Sequence, residues 1–338
     1  MTEVLVTGGS GYIGSWCTLA LLTAGYRVRT TVRDLAREPE VRAMLRHGGG
    51  DPGDNLRVVR ADLQDDAGWP EATAGCDYVL HVASPTLTQV PRDDDEMVRP
   101  AVDGTLRVLR AARRAGVKRV VMTSAIGAIA YGHEPRDTPF TEQDWTNVAA
   151  DIAPYQRSKT LAERAAWEFV AGEGRGLELA TVNPTAVLGP VLGPDYSPSL
   201  SSIAGMLDGS LPALLKFATG YVDVRDVASL HLLAMTEPAA AGERFIATAG
   251  HSLWQRDIAA VLRDRLGERA AKVPTREMPL VVARGLARVN PQMAALRMIL
   301  GRDLDATSAK AERLLGWKAR PIEDTIVETA ESLLALEA

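Results

Sequence analysis

The sequence predicts an α/β fold, a doubly wound parallel sheet of about seven strands followed by a smaller, mostly helical lobe. Three observations carry this. Short apolar segments of strand length recur along the first part of the chain, and between them lie stretches whose apolar residues repeat at helical spacing. A glycine-rich turn follows the first segment directly. Beyond residue 185 the alternation fails and helical patterns dominate.

The first strand, Glu3 to Thr7, is apolar at Val4, Leu5 and Val6, as a strand covered on both faces must be. Thr7-Gly8-Gly9-Ser10-Gly11-Tyr12-Ile13-Gly14 then turns the chain into an amphipathic helix that includes Leu19 to Ala24. Among Gly8, Gly11 and Gly14, one permits a tight turn, one lets the backbone approach a pyrophosphate, and one lets helix and strand pack closely. Amides opening the helix face the anion. A second strand, Arg27 to Val32, completes the βαβ unit, so the motif reads as a Rossmann-type dinucleotide site with Gly8, Gly11, Tyr12, Ile13 and Gly14 as contacts.

The second strand also selects the dinucleotide. Asp34 lies about 20 residues past Gly14, where an acid would bind the ribose hydroxyls of NAD. The alternation Val28, Thr30, Val32 instead ends the strand at Val32 and puts Arg33 next. An aliphatic side chain cannot bind two hydroxyls, whereas a guanidinium forks onto a 2′-phosphate. The expected cofactor is NADP, held by Arg33.

Further strands are expected at Arg57 to Arg60, Asp77 to Val82, Arg119 to Thr123, Leu177 to Val182 and Arg244 to Thr248. Helices are expected at Met97 to Ala115, stopped by Gly116, and at Tyr155 to Ala171, Ile258 to Leu266, Lys310 to Leu315 and Ile322 to Leu336. His47 to Asn55 and Tyr131 to Phe140 read as surface loops, and the proline-rich Gly189 to Pro198 as a cover for a substrate. The division is residues 1–185 for the dinucleotide and 186–338 for the substrate, with a segment around 220–250 returning to the sheet.

Chemistry enters at Tyr155-Gln156-Arg157-Ser158-Lys159. Residues four apart share a helix face, so phenol and ammonium point the same way. A neighbouring cation favours the phenolate, which lowers the Tyr155 pKa from about 10 and makes it a proton donor to a carbonyl oxygen. Lys159 also reaches the nicotinamide ribose.

Composition narrows the alternatives. With 338 residues, 46% hydrophobic and 24% charged, the chain can bury a large core. A net charge of −5 supplies no basic field for nucleic acid or an anionic membrane, which leaves small molecules as the expected partners. Cys17 and Cys76 lack metal-ligand spacing and read as small core residues of a reducing compartment. The chain opens on a strand and holds no long apolar run, so a cytoplasmic protein, monomeric or homodimeric, is expected.

The glycine motif, the Tyr155-x-x-x-Lys159 helix and the length together resemble an extended short-chain dehydrogenase/reductase. Thr31-Val32-Arg33-Asp34, Ala61-Asp62-Leu63, His81-Val82-Ala83-Ser84-Pro85, Ser158-Lys159-Thr160-Leu161-Ala162-Glu163, Asn183-Pro184-Thr185 and Val222-Asp223-Val224-Arg225-Asp226-Val227 narrow the resemblance. It points to the branch similar to dihydroflavonol reductases, cinnamoyl-CoA reductases and aldehyde or ketone reductases. The resemblance implies Asp62 and Leu63 beside the adenine, Val82, Ala83 and Ser84 along the cofactor, and Pro184, Thr185 and Val187 near the nicotinamide. It implies an NADPH-dependent reductase that turns a small hydrophobic aldehyde or ketone into an alcohol. Two alternatives stay open: a nucleotide-sugar epimerase or dehydratase using bound NAD, and a dinucleotide-sensing regulator without catalysis. One departure matters. Such reductases show Thr-Ser-Ser at the strand before the catalytic helix, the second Ser polarising the carbonyl, whereas this chain reads Thr123-Ser124-Ala125. Ser124, a water or a backbone amide is left to orient the oxygen.

Other residues take plainer roles. The five His show no ligand spacing, and no metal is expected. His81 reads as a packed, hydrogen-bonded core group, and Asp93-Asp94-Asp95-Glu96 as a solvated helix start. Trp145, Trp167, Trp254 and Trp317 read as core, while Leu188 and Tyr196 flank the proline-rich loop as pocket candidates.

Overall fold

A computed structural model describes residues 1–85, 93–193, 197–290, 293 and 296–336. Twelve strands occur among them: β1 (Glu3–Val6), β2 (Arg27–Val32), β3 (Leu56–Arg60), β4 (Tyr78–His81), β5 (Arg119–Thr123), β6 (Glu178–Pro184), β7 (Ala186–Leu188), β8 (Ala218–Thr219), β9 (Tyr221–Asp223), β10 (Arg244–Ala247), β11 (Leu253–Trp254) and β12 (Asp303–Leu304). Seven of them form one sheet in the order β10-β6-β5-β4-β1-β2-β3. Every neighbouring pair in it is parallel, with Val4 opposite both Val28 and Tyr78.

Parallel strands need crossovers, and helices supply them: α1 (Tyr12–Thr23), α2 (Glu38–His47), α3 (Trp69–Thr73), α4 (Asp95–Arg114), α5 (Pro154–Ala171), α6 (Pro198–Asp208) and α7 (Val224–Thr236), while α8 (Gln255–Leu266) and α9 (Leu280–Val289) follow the last strand of the sheet. Val4 and Val6 face a core shared with Cys17 and Leu21 of α1 and Val227 and Leu230 of α7. Leu5 faces the opposite core, with Leu109 of α4 and Ala162 and Phe169 of α5. Both faces are therefore covered, which is why β1 lacks a polar side. A third cluster joins Ile126, Ile129 and Phe140 to Leu215, Phe217 and Leu304 of the C-terminal half.

The expected strands of the main sheet differ from the observed ones mainly at their ends. β6 runs on to Pro184 because Asn183 and Pro184 keep pairing with Ile246 and Ala247 of β10. The Tyr131 to Phe140 stretch is not wholly superficial, since Phe140 is buried and bridges to Ala306. Helices α2, α3, α7 and α9 and the short strands β7, β8, β11 and β12 stand where no such element was expected, and α6 begins inside the proline-rich stretch. Cys17 and Cys76 are free, buried thiols. Of the four tryptophans expected in the core, Trp317 is fully enclosed and Trp145, Trp167 and Trp254 are half-buried.

Candidate active site

The carboxyl ends of β1 to β6 converge on one edge, where an open parallel sheet binds its ligands. The strand order reverses between β1 and β4, the switch point of such sheets. Gly8 there adopts φ +74°, a left-handed conformation that suits glycine, and its amide donates to Thr31 Oγ1 at 3.0 Å. A β-carbon on Gly14 would stand 2.2 Å from the Gly8 carbonyl oxygen, so only glycine lets α1 start this close to β1. Gly11 meets only that same oxygen, at 3.3 Å. Gly9, to which no role was assigned, is just as constrained: a β-carbon would lie 2.0 Å from Thr30 Oγ1. The first turn of α1 holds neither a side-chain cap nor an acidic residue, so its amides suit an anion.

Tyr12 contributes differently from expectation. Its buried hydroxyl donates to the Gly189 carbonyl at 2.8 Å, tying α1 to the loop after β7. Burial pushes that phenol well above its ordinary pKa, and only its main chain is left for a phosphate. Ile13 follows on the same first turn, half-buried against the core.

Past β2, Arg33 is exposed and has no hydrogen bond or ion pair among the described residues. Asp34 is occupied: its carboxylate accepts from the Ala36 amide at 2.9 Å and caps a short 3-10 turn. After β3, Asp62 accepts from the Gln64 amide at 3.0 Å, while Leu63 turns inward against Gly104 of α4. After β4, Val82, Ala83 and Ser84 lie half-buried, and the Ala83 α-carbon sits 3.1 Å from where a Gly8 β-carbon would be. Thr7 Oγ1 accepts from the Ala83 amide at 2.9 Å and pairs with His81 Nδ1 at 3.0 Å. His81 is thus a packed, hydrogen-bonded core group, its pKa pushed down to about 3 by burial and by the nearby Lys159.

That proximity brings α5 to the same edge. Tyr155 exposes 46% of its surface, and Lys159 Nζ stands 5.9 Å from the centre of its ring. The stem of Lys159 is buried, and its amine makes no hydrogen bond among the described residues. Desolvation pulls that amine down to about 8 against the opposing pull of Glu163. The expected lowering of the Tyr155 pKa does not occur. Protein packed around the hydroxyl, then the neighbouring Tyr131 phenol, push it up to about 12.

Ser124 is a second correction. Its hydroxyl points into the core and donates to Glu163 Oε2 at 2.5 Å. Glu163, fully buried, also accepts from Thr181 (3.1 Å), Asn183 Nδ2 (2.8 Å), Trp167 Nε1 (3.3 Å) and Arg244 Nε (2.6 Å). This carboxylate joins α5 to β5, β6 and β10. Sequence reasoning missed it, although its signal was present: an acid one turn past Lys159 on the buried face of an amphipathic helix. Arg244 completes the hub by stacking 3.7 Å from the Trp145 ring.

Pro184 ends β6, the Thr185 hydroxyl donates to the Ala247 carbonyl at 3.1 Å, and Val187 is buried in β7. Leu188, a pocket candidate from sequence, is fully enclosed in the core, and Tyr196 lies outside the described residues.

Residues 4–247 match the family model described as the NAD dependent epimerase/dehydratase family. The chain belongs to that family. Its relatives include cinnamoyl-CoA reductase CAD2 of Medicago truncatula, 33% identical over 98% of this chain and 95% of the relative. Dihydroflavonol 4-reductase of Zea mays is 35% identical over 78% of this chain and 74% of its own length. Among solved structures, yeast methylglyoxal/isovaleraldehyde reductase Gre2 complexed with NADPH superposes with a TM-score of 0.79, covering 99% of both chains at 24% identity. The family member described here is accordingly a reductase of the extended short-chain dehydrogenase/reductase type. No described helix is long and apolar enough to cross a membrane.

Proposed function

We propose that the protein is an NADPH-dependent reductase that converts the carbonyl of a small hydrophobic aldehyde or ketone into an alcohol. The observation that carries this reading is the half-open Tyr155 phenol beside a Lys159 amine that no described protein group accepts from. The glycine turn, the uncapped start of α1 and the unpaired Arg33 suit a phosphorylated dinucleotide, and Asp34, occupied by its own turn, does not compete for ribose hydroxyls. Gly8, Gly11, Tyr12, Ile13 and Gly14 would hold the pyrophosphate by main chain and Arg33 the 2′-phosphate. Asp62 and Leu63 would flank the adenine, Val82, Ala83 and Ser84 the cofactor's length, and Pro184, Thr185 and Val187 the nicotinamide.

When bound, the reduced nicotinamide supplies the hydride. Tyr155 supplies the proton: with its pKa near 12 it is fully protonated at neutral pH, the form that reduction requires. Lys159, charged below about 8, would stabilise the phenolate left behind and would be the residue to hold the ribose hydroxyls. The names of the relatives, reductases of carbonyl-bearing substrates, point the same way.

The test follows NADPH consumption by its near-ultraviolet absorbance against a panel of branched aliphatic aldehydes and aryl ketones. Turnover that falls by about 100-fold or more in Tyr155→Phe, with NADPH binding kept, is the expected result. Binding without turnover of any carbonyl would favour a sensor, and release of tightly held NAD on denaturation an epimerase.

A further inference from the structure

Large apolar side chains exposed among the described residues mostly stand apart along the chain, as Leu35, Leu314 and Leu336 do. Helix α9 is the exception. Val281 (83%), Val282 (50%), Leu286 (38%) and Val289 (79%) are all exposed, and only Ala283 and Ala287 are buried. The usual pattern of a surface helix is inverted: small residues face the protein and branched aliphatics face away.

At about 100° per residue, the side of α9 opposite Ala283 and Ala287 is centred on Gly285. A β-carbon there would meet nothing within 4 Å, so that side is open among the described residues. Val281 and Val289 flank this centre, Val282 and Leu286 lie to one side of it, and Arg284 and Arg288 lie to the other.

The charges of the surrounding segment have one sign. From Met278 to Arg302 the sequence carries Arg284, Arg288, Arg297 and Arg302 and no acidic residue. Arg297 pairs with Asp151. Arg284 and Arg302 donate to carbonyls, of Leu300 at 3.4 Å and of His133 at 2.6 Å, which leaves their charge uncompensated. Arg288 is exposed, with no ion pair among the described residues. The acids at either end of the segment are engaged, Glu277 with Arg256 at 3.8 Å and Asp303 with the Ser252 hydroxyl. The complement of this face is an apolar layer beneath an anionic one.

We propose that α9 docks on an anionic phospholipid bilayer, its aliphatic side chains entering the acyl boundary while Arg284 and Arg288 bind headgroup phosphates. A second copy of the chain fits less well. A helix of 10 residues is about 15 Å long and 10 Å wide, far short of the ~800 Å² that each partner buries in a stable pair. Fluid acyl chains need no matching surface. The net charge of −5 supplies no long-range pull toward such a bilayer, but screening confines each charge to about 8 Å at physiological salt, so the charges on the docking face decide. The proposal is independent of the reductase reading.

The experiment floats the full chain with vesicles of phosphatidylcholine alone or mixed with phosphatidylglycerol. The bound fraction is expected to be at least about tenfold higher on the mixed vesicles and to fall as salt is added. Val281→Asp combined with Val289→Asp is expected to lower it about tenfold or more, and Arg284→Gln combined with Arg288→Gln about fivefold or more. All four positions are exposed, so thermal midpoints should stay within about 2 °C of the parent. Four results overturn the proposal: no flotation with mixed vesicles, equal flotation with neutral ones, the valine variant floating as well as the parent, or a lipid-free dimer that Val281→Asp abolishes, which assigns the face to a second copy.

Discussion

The two halves of the sheet's carboxyl edge treat their polar groups in opposite ways. On the β1 to β3 side, Arg33 is exposed and unpaired among the described residues and the first turn of α1 is uncapped. Across the β5, β6 and β10 side, Ser124, Thr181, Asn183, Trp167 and Arg244 all converge on the buried carboxylate of Glu163. A buried polar group without a partner costs about 1–3 kcal/mol, so the enclosed side pairs most of its groups, Arg244 Nη2 and Thr248 Oγ1 being left over among the described residues. The enclosed side must satisfy itself first. Under the proposed function, the unpaired exposed groups are where the ligand would bind, and the Glu163 network is what would hold α5 in place. Lys159 stands at the boundary, its stem buried and its amine unclaimed.

The sharpest way to break this contrast is Glu163→Gln. It preserves shape but leaves the buried Arg244 without a counter-charge, and an expected loss of about 3–5 kcal/mol in unfolding free energy would appear as a lower urea midpoint. A loss below about 1 kcal/mol would show that the hub is not a support. Gly14→Ala comes next, because its new carbon would strike the Gly8 carbonyl at 2.2 Å. Displacing α1 should cost about 1–3 kcal/mol and weaken NADPH binding in a fluorescence titration; unchanged binding would mean that close packing here is dispensable.

Arg33→Ala should act in the reverse sense to Glu163→Gln. Stability is expected to stay within about 0.5 kcal/mol while NADPH affinity falls about tenfold or more and NADH affinity stays put. Equal loss for both nucleotides would remove the 2′-phosphate assignment. The smallest effect is on pH dependence. Turnover at saturating NADPH should hold level around neutrality and decline as pH rises through about 8, where Lys159 loses its proton. Tyr155, near 12, stays protonated across that window, so a rate that climbs there would contradict these roles.

Much of the nucleotide side was legible in the sequence because backbone geometry writes itself into residue type. Gly8 and Gly14 are where a side chain cannot stand, and Val32 followed by Arg33 marks the end of β2 from alternation alone. Helix α5, which carries the proposed Tyr155 and Lys159 pair, was legible from their one-turn spacing. Ser124 was harder, since direction at a strand end depends on what lies beneath, and the Glu163 carboxylate drew its hydroxyl inward. Leu188 looks like a pocket residue beside a proline-rich loop, yet it folds into the core once β7 pairs with β9.

The amino-acid order alone determined the alternation of strands and helices, the residues of the nucleotide turn and the phenol–amine pair. Each of these follows from local periodicity and backbone allowance. Only the tertiary structure decided which polar groups remain free, because hydrogen-bond partners such as Glu163 for Ser124 or the Gly189 carbonyl for Tyr12 come from other elements. It also reversed the expected Tyr155 shift, since desolvation and then the neighbouring Tyr131 phenol push that pKa up.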